Sequence, residues 1–407
     1  MNPEAAALWR APRWMLAALL AGLGALGPFA IDTYLPAFAG IAASVGATPA
    51  QMQQTLSAYL FGFAFMSLFH GALSDALGRR PVVLVGLAVF TIASAGCALS
   101  QTIGQLIAFR TLQGLSAGAG VVVSRAIIRD MFPPAEAQKV MSQVTLFFGI
   151  APAIAPMVGG LLFDRLDWHA VFWFLAGVGA LLLAFHGRLL PESLHASQRQ
   201  PLRLKPLLAG YAELLADPRF LALALASGVP FNGMFLYVMA APAWLGEHLG
   251  LAPTEYFWFF VLNIAGIMAG AWWSGRLAGK LPPARQIRRG FRIMVGISLL
   301  NVAANLAFPA HAAWAMLPVA IFSFGWALMV PVVTLMVLDL APTRRGMASS
   351  LQMGVGSLAN GLVAGLLTPL VMHSTVALAL GSLGLMSIGL LAWLGVRRHL
   401  PQPARPD

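Results

Sequence analysis

The chain has 407 residues, 59% of them hydrophobic and 10% charged, with a formal net charge of +11. That balance excludes a water-soluble globular domain and a disordered chain. A single cysteine, Cys97, excludes an intrachain disulfide and a multi-cysteine metal centre.

The apolar residues fall into about a dozen segments of about 20 residues, each long enough to cross a hydrocarbon core about 30 Å thick. Span 1 covers about residues 14–38 and contains one carboxylate, Asp32. Arg10 and Arg13 precede it as in a signal peptide, but the apolar run is too long for one. The pattern predicts an uncleaved helix continuing through Leu35, Phe38 and Ile41. Span 2, about 51–73, ends in a hydrophilic turn, Ser74-Asp-Ala-Leu-Gly-Arg-Arg80. Pro81 then opens span 3, about 81–99, as proline suits a first helical position. Span 4, about 103–128, holds Arg110 and returns at Arg129-Asp130. Span 5, about 137–163, carries Pro152, Pro156, Gly159 and Gly160. Each proline removes a helix hydrogen bond, so this span has either a bending point or a rigid kink. Span 6 covers about 168–189.

Residues 191–219 differ in composition, with Glu192, Arg199, Arg203, Lys205, Glu213 and Asp217 among prolines. They predict a linker with a short amphipathic helix at 207–216 lying on the membrane surface. Six further spans follow at about 220–244, 255–278, 287–308, 313–338, 346–371 and 376–396. The reading is an all-α integral membrane protein of twelve transmembrane helices, with six-helix bundles at 1–190 and 220–407. Gly71-Ala-Leu-Ser-Asp-Ala-Leu-Gly after span 2 is echoed by Gly275-Arg-Leu-Ala-Gly-Lys-Leu-Pro after span 8, which points to internal duplication.

Of the 25 Lys and Arg residues, Arg110 lies within span 4 and Arg165 in an outer loop, and the others fall in inner loops, inner span ends or inner tails. This is the positive-inside pattern, and it predicts both termini in the cytoplasm. The excess charge therefore orients the chain and does not point to nucleic acid.

An ionised carboxylate in lipid costs several kcal/mol, so Asp32 is the first functional candidate. It lies about 27 Å along span 1, and Arg110 about 10 Å into span 4 from the other side, so the two share a depth. A nearby guanidinium and a low dielectric act in opposite senses on a carboxyl group, which suits it to reversible protonation. The competing reading is a structural ion pair, or a carboxylate that reaches outer water and does nothing. Gln113 stands one turn from Arg110 on the same face. The second half embeds amides instead: Asn232 and Asn263 are cavity candidates, while Asn301 and Asn305 read as interhelical glue, with Asn360 as a further embedded amide. Tyr34, Tyr59, Phe235 and Tyr237 suit a flat or cationic lipophilic ligand. Trp258, Trp272, Trp273 and Trp393 read as lipid or helix contacts. Gly114-Leu-Ser-Ala-Gly118 matches a hydrolase pattern but lies in mid-span, without the strand-turn-helix that a nucleophile elbow needs. Met66 and His70, four apart on span 2, read as packing and not as a soft-metal pair.

These residues resemble the major facilitator superfamily and, within it, the twelve-span drug/proton antiporters of the bicyclomycin-resistance (Bcr/CflA) branch. The likeness rests on the loop 71–80, on Arg110-Thr-Leu-Gln-Gly114 and on Ile31-Asp-Thr-Tyr-Leu-Pro36. Trp168-His-Ala-Val-Phe-Trp173, Pro191-Glu-Ser-Leu194 and Gly346-Met-Ala-Ser-Ser350 also carry it. The resemblance implies a major facilitator fold of two pseudo-symmetric bundles that rock in alternating access about a central cavity. It implies that Asp75 faces the N-terminus of span 11. Arg79, with Arg129 as a second candidate, would pair with Asp130 as an inner latch. Gly71 and Gly78 would permit a tight turn and close helix approach. Three positions depart from the pattern: Ala155 before Pro156, Gly24 where some relatives have a second acid, and Gly279 opposite Asp75.

The expected function is proton-coupled export of small amphipathic drugs or toxic metabolites across a bacterial inner membrane. Asp32 would carry the proton and Arg110 would tune it, with no cofactor, no metal and a monomeric chain. The alternatives are an exporter of amino acids or other metabolites, a soft-metal importer, a membrane-embedded enzyme and a non-transporting sensor.

Overall fold

The computed structural model describes residues 13–200, 204–251 and 255–398, without the side chains of a few helical positions. The chain is helical. The first half contains α1 (Arg13–Asp32), a short α2 (Phe38–Val45), α3 (Pro49–Leu77), α4 (Arg79–Ala98), α5 (Ile103–Met131), α6 (Pro134–Arg165) and α7 (Trp168–Leu189). The linker holds α8 (Leu204–Ala216), which covers the expected amphipathic segment. The second half contains α9 (Pro218–Met239), α10 (Phe257–Leu277), α11 (Pro283–Ala307), α12 (Leu317–Leu340), α13 (Arg345–Leu362) and α14 (Thr375–Val396). Among the described residues, eleven helices are long and apolar enough to cross a membrane. The remaining predicted span falls on α6, a helix of 32 residues.

Two local expectations are corrected. The first span does not continue as one helix: α1 ends at Asp32, a turn at Thr33 and Tyr34 follows, and Leu35–Ala37 form a 3-10 helix before α2. Pro36 is the cause. It has no N–H for the carbonyl of Asp32, four residues earlier, and its ring clashes with that carbonyl. The polar stretch 74–80 is likewise not a loop, because α3 runs to Leu77 and α4 begins at Arg79. Gly78 alone joins them, at φ +103°, a conformation that side chains disfavour. Pro81 then falls within the first turn of α4, where its missing N–H costs nothing.

The chain divides into two compact units, one of Met1–Leu207 with Ala341–Gly354, the other of Leu208–Leu340 with Val355–Asp407. In the first, α5 is the buried axis, and α1, α3 and α4 all pack on it. In the second, α12 takes that place, contacted by α9, α10 and α11. The two axes hold the same place in order within their halves. Asp217 begins the second half by capping α9, and the Arg219 guanidinium holds its carboxyl below the usual carboxylate range.

Candidate functional site

The first unit contains a fully buried cation. Arg110 sits on the inner face of α5 with 0% exposure, and its guanidinium carbon lies 4.6 Å from the Tyr34 ring centre and 4.4 Å from that of Tyr59. Each ring is fixed in turn. Thr55 gives its hydrogen to the Met52 carbonyl (2.6 Å), so the Tyr34 hydroxyl donates to Thr55 Oγ1 (2.5 Å). The Tyr59 hydroxyl donates to the Gly27 carbonyl of α1 (2.9 Å). Arg110 Nη1 donates to Gln113 Oε1 (2.6 Å) and to the Ala30 carbonyl (3.3 Å), and Gln113 Nε2 donates to Ser94 Oγ (2.7 Å). Nε and Nη2 of Arg110 are buried without a partner.

Asp32 stands where α1 ends, part-buried, and among the described residues it makes no ion pair with Arg110. Its neighbour Thr33 is pinned to α6, since a Cβ on Gly159 would collide with the Thr33 carbonyl. Thus α6 approaches the helix break at backbone distance. Helix α6 passes unbroken through Pro152, Pro156, Gly159 and Gly160, although the Pro152 side chain lies outside the described ones.

A second polar cluster of the same unit closes around Gly78. Asp75 accepts from the backbone N–H of Gly346 (3.0 Å) and of Met347 (2.8 Å), in the first turn of α13. A carboxylate is favoured there by the free amides and the positive end of the helix dipole. Arg79 donates through Nη1 to Asp75 Oδ1 (2.5 Å) and Ser74 Oγ (2.7 Å), and through Nε to Asp130 Oδ2 (3.1 Å). Gly71 donates its N–H to Ser350 Oγ (2.9 Å), and a Cβ on it would run into the Gly346 carbonyl. Arg129 donates to the Phe132 carbonyl (3.3 Å).

Sequence reasoning did not assign three members of this cluster. Arg345 donates to Asp130 Oδ1 (2.7 Å), and Ser193 donates to Asp130 Oδ2 (3.4 Å). Glu192 accepts from the N–H groups of Arg79 (2.9 Å) and Arg80 (3.2 Å), so the linker caps α4. The run Pro191-Glu-Ser-Leu194 was a visible signal, but nothing local in it points to a helix more than a hundred residues earlier.

In the second unit the predicted residues are dispersed. Asn263 Oδ1 accepts from Ser323 Oγ, Tyr237 accepts from Asn301 Nδ2 (2.8 Å), and Asn305 bonds back to Asn301. Asn232 donates to the Gly228 carbonyl (3.1 Å) and leaves its Oδ1 buried without a partner. Phe235 stacks on Phe231, which leans on Trp326. Among the described residues no cluster of three His, Cys, Asp or Glu side chains could hold a metal ion.

The profile of the Major Facilitator Superfamily matches residues 18–364. The chain is 32% identical over 393 residues to the MFS-type transporter YdgK of Bacillus subtilis (strain 168), covering 95% of this chain and 96% of that one. It is 33% identical over 267 residues to a bicyclomycin resistance protein homolog of Haemophilus influenzae, covering 65% and 67%. The solved structure of the proton:xylose symporter XylE matches at a TM-score of 0.76 with 14% identity, covering 99% of this chain and 97% of that one, a likeness of fold.

Proposed function

The chain belongs to the Major Facilitator Superfamily, and from that premise we propose that it exports small amphipathic drugs or toxic metabolites in exchange for protons. It is a multi-pass membrane transporter and not an enzyme. The proposal adds alternating access across a bacterial inner membrane, cytoplasmic termini and a monomeric working unit. The bicyclomycin-resistance relative supports the substrate class.

The observation that carries the coupling is the buried guanidinium of Arg110 with two nitrogens that have no acceptor. Burying an ion costs several kcal/mol. Two aromatic faces return about 2 kcal/mol or more each, and Nε and Nη2 still have no hydrogen-bond acceptor. The balance favours an acceptor that comes and goes. Asp32 is the nearest candidate by sequence and depth, placed on a broken helix end whose backbone can shift. Ionised, Asp32 attracts or accepts from the compound. A proton arriving from the outer side removes that attraction and releases the compound. The proton leaves to the cytoplasm after the transporter turns inward. Asp75, Arg79, Asp130 and Arg345 latch one end of this cycle, because their bonds tie α3, α4 and α5 to the first turn of α13.

The reading is tested in reconstituted vesicles with a varied toxicant panel, with and without an imposed proton gradient. Uphill movement of amphipathic compounds only under the gradient is expected. Gradient-independent flux, or flux confined to amino acids or metal ions, would overturn it.

A further inference from the structure

Helices α3 and α4 are joined by one residue and pack little on each other: α3 packs chiefly on α5, and α4 on α5 and α7 alike. The cleft they leave is a cavity of about 310 Å³, at the lower end of the range for small-molecule sites. Its walls are apolar, with Met66 and Leu73 from α3, Val82 and Val89 from α4, and Leu115 from α5. Val85 stands in its lining and is 63% exposed. Ile92, seven residues on from Val85 on the same face of this spanning helix, and Leu99, just past its end, are exposed to a similar degree. A face so apolar and so exposed meets lipid, so the cleft opens sideways into the membrane.

One ionisable side chain lines this space. His70 is 4% exposed; its Nδ1 is buried beside Gly118 of α5 without a hydrogen-bond partner, so Nε2 is the ring nitrogen left for an occupant. It lies about two turns, or about 10 Å, from the α3 end at Leu77. A phospholipid keeps its head at the membrane surface and brings only an acyl chain to that depth. A small amphiphile can submerge whole and hydrogen-bond the ring, and in a low dielectric that bond is strengthened. The coupling scheme above does not use His70.

We propose that this cleft takes a single-headed amphiphile directly out of the bilayer, its apolar body between α3 and α4 and its hydrogen-bonding group on His70. The occupant is the exported compound on its way to the transport site, so the inference rests on the export reading.

The test is photolabelling of the full chain in nanodiscs. One diazirine probe is a long-chain alcohol, and the other carries the diazirine on a phosphatidylcholine acyl chain. The alcohol is expected to label residues 66–89 about three- to tenfold more than the phospholipid does, the range that one net hydrogen bond supplies. His70→Phe, which keeps the ring and loses the nitrogens, removes that preference while phospholipid labelling persists and reports an intact fold. Val85→Trp narrows the cleft and lowers labelling by both probes there. Equal labelling by the two probes, or a preference unmoved by His70→Phe, would overturn the proposal. Gradient-driven export of the toxicant panel, measured on the same preparation, separates the readings. Its persistence with equal labelling removes the cleft alone, and its absence removes the export reading.

Discussion

The two units share one packing plan and differ in what they bury. In the first, the axis α5 carries Arg110 in its interior, and a chain of ions from Asp75 through Arg79 and Asp130 to Arg345 lies beside it. In the second, α12 has no ionisable residue until Asp339, and the buried polar groups are amides, hydroxyls and a tyrosine. Gly279 stands where the duplicated loop would repeat Asp75. The difference teaches that the helix arrangement does not need the charges. Apolar and small residues suffice to pack α9, α10 and α11 on α12. The charges of the first unit are an addition, and the account assigns them to coupling and switching.

Four substitutions break or sharpen this contrast, and the largest effect is expected in the ion chain. Asp75→Asn leaves Arg79 short of a buried partner, for which the cost is about 3–5 kcal/mol. Thermal unfolding in detergent is expected to show a large loss, with export reduced. Next comes Gly159→Ala, which forces α6 away from the Thr33 carbonyl at about 1–3 kcal/mol. Because it moves the break that bears Asp32, export is expected to fall by more than stability does, as read by transport per folded protein. Glu192→Ala removes the cap of α4 and is expected to cost about 1 kcal/mol in the same melting assay. The smallest effect belongs to the second unit. Ser323→Ala removes the hydroxyl that donates to Asn263, at about 1 kcal/mol, and is expected to leave proton dependence unaltered in vesicles. If Ser323→Ala changed the proton dependence while Asp75→Asn changed nothing, the contrast between the units would be wrong.

Most of the fold was legible because lipid demands long apolar helices, and polar turns interrupt the apolar runs at span-length intervals. The two corrections have physical causes of different visibility. The break after Asp32 follows from Pro36 four residues on, a local rule that hydropathy averaging hides. The helical course through Ser74, Asp75 and Leu77 was not readable locally, because the partners that satisfy Asp75 lie near Gly346, 271 positions away. The site shows the same division. Arg110, Gln113, Tyr34 and Tyr59 stood out as polar or aromatic residues within or near the spans. That the two rings enclose the guanidinium, with Gly27 and Thr55 holding them, depends on tertiary contacts between α1, α3 and α5. Glu192 looked like an ordinary linker charge for the same reason.

The central claim is that one carboxylate in the first unit carries the proton. It is tested most directly by Asp32→Asn in vesicles with an imposed pH gradient, following compound efflux and internal pH together. The account predicts a protein that inserts and folds but loses both gradient-driven efflux and the matching proton movement. Undiminished gradient-driven efflux by Asp32→Asn would contradict it.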